Sequence, residues 1–443
     1  MGFFARGIET APRAAIETHQ FARLRSLLER SSLDNPFYRT KFRAAGLGSL
    51  QDVIEIARSP DRFRQLPTSG KQELLDDQAA HPPHGTNVLS PSPPFVRQHQ
   101  TSGTTGTPLK VWETRQSWEW MTTLWLYQLL ALDITPVDTI FMAFNFGHSL
   151  GLWNVLDAGM QLGALTLTGG GLTSLQRVDS IVHNRATVLV CTPSYALRLA
   201  EVAADNRIDI RRSAVGTIIV GGEPGASVAG TRDRIERLWG ARLYDSPGLT
   251  EVGHIGLACP HQGVHLVESE FYVEMLDPET QRPVGPGEAG EIVVTNFGRP
   301  ATPVIRYRTR DVARPVYDMC PCGRTFMRLE GGIIGRSDDM IVVRGVNVFP
   351  SLVEAIIREC GDVSEYSVEI VGTQDMYSLR IKIELDADCT GGPETIRRRI
   401  EDTFHRRLYL KTDVEVVPAG ALPRSGAKRS RFVRVEADKP SLK

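Results

Sequence analysis

The sequence predicts an α/β protein in two unequal parts: a large N-terminal region of βαβ-type sheet plus a distorted antiparallel β-barrel, then a small α+β unit. Three observations carry this prediction. Short β-rich runs alternate with helical segments from Thr139 to Gly222. Strand-like runs without intervening helices follow Glu268. From about Ser337 a compact strand–helix–hairpin–helix–strand pattern takes over.

Element by element, residues 12–47 carry helical spacing with a turn at Asp34-Asn35-Pro36, and a Pro-rich stretch runs from His81 to Pro94. The runs TIFMAF (139–144), ALTLTG (164–169), ATVLVCT (186–192) and VGTIIVGG (215–222) read as strands. Helix-like segments 175–183 and 194–204 lie between them, and that alternation calls for parallel βαβ units. EFYVEMLD, GEIVVTNF and DVARPVYDM, separated by Gly and Pro turns, predict antiparallel strands. In the small unit, MIVVRGVNVF is a strand pair, a helix begins near Pro350, YSVEIVGTQDMYSLRIKIEL is a hairpin, PETIRRRIEDTFHRRL a helix and TDVEVVPAGAL the final strand. The boundary falls near Arg336–Asp339, giving domains 1–336 and 337–443.

Bulk composition excludes several classes. At 443 residues the chain exceeds one ordinary core. A net charge of −1 gives no general attraction for nucleic acid or an anionic membrane, and Arg397–Arg399 and Arg406-Arg407 read as a solvated helix face. No apolar run approaches the roughly 20 residues of a membrane helix. The N-terminus does not read as a secretory signal, and Arg6 stands where a myristoylation motif needs Ser or Thr. The expected location is the cytoplasm. Six cysteines are too few for a disulfide scaffold, and Cys191, Cys360 and Cys389 read as packed or incidental thiols.

The strongest chemical signal is QTSGTTGTPLKV (100–111). Gly103 and Gly106 let main-chain N–H groups approach a ligand closely. Thr101, Ser102, Thr104, Thr105 and Thr107 add hydroxyls, and Lys110 adds charge, as a polyphosphate requires. The spacing is not that of a P-loop. The string resembles the phosphate motif of the adenylate-forming superfamily of acyl-CoA synthetases, luciferases and adenylation domains. That resemblance demands further motifs in a fixed order, and they are present. VGGEPG (220–225), with Gly222, Glu223 and Pro224, looks like the segment lying against adenine. YDSPGLTEVG (244–253) is similar to the aromatic-Gly-x-Thr-Glu segment, which implies Glu251 on Mg²⁺ and Thr250 by the phosphate. Pro247 departs from the family there, standing where an aromatic ring stacks on adenine, so Asp245 and Ser246 are candidates for purine recognition.

RYRTRDVAR (306–314) resembles the Tyr-Arg-Thr-Gly-Asp motif, with Arg310 in place of Gly and Asp311 as ribose acceptor. GRSDDMIVVRGVNVFP (335–350) resembles the hinge motif, which implies Arg336 on ribose or phosphate, Asp338 as pivot and a mobile C-terminal domain. LPRSGAKRSR (422–431) resembles the segment carrying the catalytic lysine, at Lys428, with Gly-Ala before it where the family has Glu-Gly. The hinge wording and the CPCGRT segment resemble the phenylacetate–CoA ligase-like branch, which activates aromatic acids. The related ligases build their acid pocket at positions matching 144–159 and 167–174. Phe144, Phe146 and Trp153 would supply flat walls, Gly147 and Gly170 space, and His148 a hydrogen bond to carboxylate or ring substituent.

CPHQGVH (259–265) and MCPCGRT (319–325) offer Cys259, His265, Cys320 and Cys322 as a Cys₃His set, with His261 as the alternative imidazole. Four such ligands select Zn²⁺ and leave no open position, so the metal would be structural rather than that of a zinc hydrolase. The resemblance implies ATP-dependent formation of an acyl-AMP from an aromatic acid, then transfer to coenzyme A. Lys428 would stabilise charge at the α-phosphate, and rotation about Asp338 would admit the thiol, with Arg344 a candidate contact for the CoA nucleotide. A carrier-protein phosphopantetheine is the alternative acceptor, and a non-catalytic nucleotide-binding protein the alternative of another class. A homodimer is the expected assembly. Benzoate, hydroxybenzoate, aminobenzoate and phenylacetate all remain open.

Overall fold

The computed structural model describes residues 2–101, 107–145, 147, 150–261, 263–343, 346–372, 377–386, 389, 391–423 and 431–435. Ser102, Gly103, Thr104, Thr105, Gly106, Phe146, His148, Arg344 and Lys428 lie outside the described residues.

The expected βαβ region is a five-stranded parallel sheet. Its order in space is Leu165–Thr168, Thr139–Met142, Val188–Cys191, Thr217–Val220, Arg242–Asp245. The two central strands Val188–Cys191 and Thr217–Val220 are almost wholly buried, which is why their sequences run apolar without alternating. Connecting helices start at side-chain caps. Thr173 and Gln176 form a capping box, and Thr192 caps a helix whose first residue is Pro193. Because the second strand in sequence lies outside the first, the direction in which successive strands are added reverses between Thr139–Met142 and Val188–Cys191. A crevice therefore opens beyond the carboxyl ends of those two strands, the place where open α/β sheets bind ligands.

The expected barrel is a six-stranded antiparallel sheet, in the order Gly256–Ala258, Val264–Leu266, Arg328–Arg336, Tyr307–Val316, Gly290–Asn296, Phe271–Leu276. Register shifts at Glu291/Val293 and Val312/Ala313/Arg314 curl it, since each bulge bends its strand and adds twist. Every residue of Gly290–Asn296 is buried, so both faces of this interior strand are covered. Helices Arg13–Asp34 and Pro36–Ala44 break at Asn35, which caps the second by accepting from Tyr38 N–H.

The C-terminal unit centres on strands Val363–Val371 and Ser378–Leu385, with helices Pro350–Glu359 and Pro393–Leu408 closing one core. One element differs from expectation: Asp413–Val416 is not the last strand, because Phe432–Val435 adds in parallel beside Val363–Val371. The unit rests on the helix Ala229–Trp239. Arg234 pairs with Asp386 at 2.7 Å and donates to the Val363 carbonyl, while Ser351 donates to the Ile334 carbonyl. Gly230 admits this contact, since a Cβ there would lie 2.5 Å from the Arg358 Cβ. Among the described residues no helix is long and apolar enough to cross a membrane.

Candidate active site

The glycine segment is flanked by two paired strands rather than by a strand and a helix. Arg97–Gln100 and Lys110–Glu113 pair antiparallel, and Thr101 closes the base by exchanging hydrogen bonds with Leu109. The Lys110 main chain is fixed by both ends of the Gln78 amide, while its side chain is exposed.

Glu113, at the end of this hairpin, makes a fully buried ion pair with Arg299 at 2.7 Å. Burial pushes the Glu113 carboxyl up, opposed by the Arg299 charge. Arg299 also donates to the Thr250 and Glu251 carbonyls at 3.1 and 2.7 Å. Residue Glu251 is 6% exposed, with Lys71 Nζ 3.8 Å from its carboxylate. Tyr307 stands near Glu251, and burial followed by the Glu251 charge holds its pKa well above the usual phenol value.

Asp311 and Arg336 are cross-strand partners, 3.3 Å apart. Burial pushes the Asp311 carboxyl up to about 7; Arg336 opposes this, while Asp338 and Glu251 add to it. Glu251, Tyr307, Asp311 and Arg336 thus share one electrostatic neighbourhood. The same guanidinium binds Asp338 at 2.9 and 3.0 Å and Asp339 at 3.7 Å.

Around the segment expected at adenine, Gly222 has φ +84°, a left-handed conformation that favours glycine. Glu223 accepts from the Ser194 hydroxyl at 3.0 Å, and Pro224 is exposed. Both Asp245 oxygens accept main-chain N–H groups, from Ala226 at 2.8 Å and Ser227 at 2.7 Å, so this carboxylate holds the loop in place. Ser246 pairs with His254 at 3.1 Å, and half-buried Pro247 lies against Gly256.

At the crevice, Phe144 is half-buried against the cluster containing Trp125 and Met142. Trp153 donates to the Gly147 carbonyl and lies 4.3 Å from the Arg97 guanidinium, which also covers Trp118 at 4.2 Å. Trp153 is therefore tied to the glycine hairpin as well as to the crevice. The glycine run at 169–171 is held by Arg177, a residue that sequence reading missed because it looked like one more surface arginine. It is 6% exposed and donates to the carbonyls of Gly169 and Ala143, the Asn145 Oδ1 and the Tyr195 hydroxyl. Gly170 itself is exposed. Lys71, Arg299 and His254 were also missed; only His254, three residues beyond Glu251, stood close to a motif.

The Cys/His cluster assembles from two distant segments. Cys259, His265, Cys320 and Cys322 are all buried with ligand atoms within 4.8 Å of one another, while His261 is exposed. A tetrahedron with Zn–S near 2.3 Å and Zn–N near 2.05 Å has S···S edges of about 3.8 Å and S···N edges of about 3.5 Å. Cys259 Sγ lies 3.8 Å from Cys320 Sγ, and Cys322 Sγ lies 3.5 Å from His265 Nε2. His265 Nδ1–H donates to the Phe326 carbonyl, which leaves Nε2 as the ligating atom. The residues fit the metal.

An open α/β sheet, a curled antiparallel sheet carrying a buried acidic cluster, and a separate α+β unit define a nucleotide-using enzyme of two parts. The chain belongs to the AMP-binding enzyme family, whose model matches residues 52–298, and the model of that family's C-terminal domain matches residues 345–435. The phenylacetate–coenzyme A ligase of Escherichia coli (strain K12) is 32% identical over 441 residues, covering 96% of each chain. A 2-hydroxyisobutyryl-CoA ligase in the postadenylation state with 2-HIB-AMP superimposes with a TM-score of 0.89 at 29% identity, over 96% of this chain and 91% of that one. Its thioesterification state with CoA gives 0.71 at 30% identity, over 97% and 91%.

Glu113→Gln would leave the Arg299 charge buried without its counterion. We expect a loss of about 3–5 kcal/mol in stability by chemical denaturation. A variant as stable as the parent would refute the pair's structural role.

Proposed function

We propose that the chain is an AMP-forming acid–CoA ligase that adenylates an aromatic carboxylic acid and passes the acyl group to coenzyme A. The observation that carries this reading is the cluster of Glu251, Tyr307, Asp311 and Arg336. It is supported by phenylacetate–CoA ligases among the relatives. The glycine hairpin, including Ser102–Gly106 and Lys110, would hold the β,γ-phosphates that depart as pyrophosphate, with Thr250 beside them. Glu251 would offer Mg²⁺ one carboxylate ligand, and the ion would neutralise phosphate charge. Asp311 would accept the ribose hydroxyls, and the segment Gly222–Pro224 with Ser246 and Pro247 would line adenine, Asp245 keeping that segment in shape. Phe144 and Phe146 would flank the acid's ring, with Gly147, His148, Trp153 and Gly170 completing the pocket.

Residues 337–443 form a mobile domain in this reading. Its present arrangement is closer to the relative's postadenylation state than to its thioesterification state. Turning about Asp338 would require Arg336 to exchange its bonds to Asp338 and Asp339, while Asp311 stays with the large domain. Lys428 would act only before that turn.

The test is AMP formation and pyrophosphate exchange with a panel of aryl acids, followed by CoA or carrier protein as acceptor. We expect exchange with at least one aryl acid and thioester with free CoA. A folded protein that exchanges with none would sink the reading. Lys428→Ala should cut adenylation about a hundredfold or more while ATP still binds.

Asp311 supplies a pH signature. Its folded pKa of about 7 lies above the unfolded value, so its ionisation costs the folded state stability as pH rises towards 7. Binding ribose needs the ionised form, so KM for ATP should rise about tenfold per pH unit well below 7. Asp311→Asn should bind ATP weakly with a flat profile; a wild-type KM unchanged between pH 5.5 and 8 would refute the assignment.

We assign Cys259, His265, Cys320 and Cys322 a structural zinc that pins Val264–Leu266 to the segment before Arg328–Arg336. Elemental analysis should find about one zinc per chain, and Cys322→Ser should lose it and lower Tm by about 5 °C or more. A metal-free wild type with the parental Tm would exclude the site.

A further inference from the structure

One buried nitrogen on each of two side chains near the crevice has no hydrogen-bond partner. His254 is 7% exposed and its ring stacks on Trp125, with centroids 4.5 Å apart and planes 14° from parallel. Ser246 Oγ occupies Nδ1 at 3.1 Å, while Nε2 is buried with no hydrogen-bond partner. Asn154 is 2% exposed and its Nδ2 is likewise buried without a partner. Buried polar atoms in native proteins are almost always satisfied, so each such exception needs an explanation.

Their placement supplies one. The short strand Gly253–His254 packs against both helices that border the crevice, Arg115–Ala131 with Trp125 and Leu150–Leu162 with Asn154. Trp125 shares its apolar cluster with Phe144, the residue at the carboxyl end of Thr139–Met142. An apolar pocket with a few polar atoms is how small ligands are oriented.

The chemistry of the pair is specific. Burial pushes the His254 imidazole down to about 3, so the ring is neutral. The Ser246 hydroxyl can donate to or accept from Nδ1, which leaves Nε2 able to accept or donate in turn. The Asn154 Nδ2 is a donor only. A hydroxyl group answers either atom, accepting from Asn154 or donating to His254; an amine donates to His254.

We propose that His254 and Asn154 form a polar subsite for the acyl group, selecting aromatic acids whose ring carries a hydroxyl or amine over their unsubstituted counterparts. The proposal rests on the crevice being the aryl pocket. A site built to hydrogen-bond a substituent rejects the analogue lacking it, because its own groups are then left unpaired.

The test compares kcat/KM for AMP formation by the full chain on matched pairs: hydroxybenzoates and aminobenzoates against benzoate, and hydroxyphenylacetates against phenylacetate. Wild type should favour one substituted isomer by about tenfold to a hundredfold. His254→Phe and Asn154→Leu should each bring that ratio towards one, through a higher KM for the substituted acid with the unsubstituted acid unchanged or improved. If His254→Phe melts early, His254→Gln and Asn154→Leu carry the measurement. A wild type indifferent to substituents overturns the subsite, as does an unaltered ratio in both variants; the pair then holds an ordered water only. Equal loss on every acid also overturns it. If no aryl acid supports AMP formation, the aryl-ligase reading falls and the subsite with it.

Discussion

The Glu113–Arg299 pair joins parts of the chain that must not move relative to each other. Glu113 ends the strand that follows the glycine segment, and Arg299 grips the carbonyls of Thr250 and Glu251. The strand leading out of the glycine segment and the backbone at Thr250 and Glu251 are thereby held from one buried point. Both side chains are fully buried, so water screens nothing and the pair is rigid at the cost of desolvating two charges. Met121 and Trp120 on the following helix complete the enclosure; Gly298 leaves so little space that a Cβ would fall 1.9 Å from the Trp120 ring.

From that anchor the site grades outward in polarity. Tyr307 and Asp311 are buried groups whose protons are held by desolvation, and Arg336 is the more exposed cation that tempers Asp311. A carboxylate kept near the edge of ionisation costs folding free energy that a purely structural residue would not demand. Arg336 is also where the two units meet electrostatically, since it binds Asp311 on one side and Asp338 and Asp339 on the other. The packing of the small unit on Ala229–Trp239 relies on side-chain contacts such as Arg234–Asp386, of a kind that can be exchanged without disturbing either core.

The Cys/His cluster follows a different logic. Cys259 and His265 stand on either side of the turn into Val264–Leu266, and Cys320 and Cys322 lie in the link between Tyr307–Val316 and Arg328–Arg336. Their spacing in the chain announced a tetrahedral set. The choice between His261 and His265 needed the fold, because only the latter sits in a strand whose side chain turns inward.

What the sequence determined by itself was whatever depends on local order. The βαβ alternation, the antiparallel run, the small α+β unit and the ordered motifs follow from periodicity and spacing, which neighbouring residues set. The hidden features depend on residues far apart in the chain. Arg299, Arg177 and Lys71 carry no local signature; each matters because of the carbonyls or carboxylates that packing brings to it. Phe432–Val435 escaped notice because a short edge strand gains its register from a partner about 64 residues earlier. The loop from Thr101 to Lys110 could be read as phosphate-binding from its glycines and hydroxyls. That it is flanked by two paired strands, the second braced by a buried charge pair to Thr250 and Glu251, was decided only by tertiary structure, because burial and charge pairing act through space.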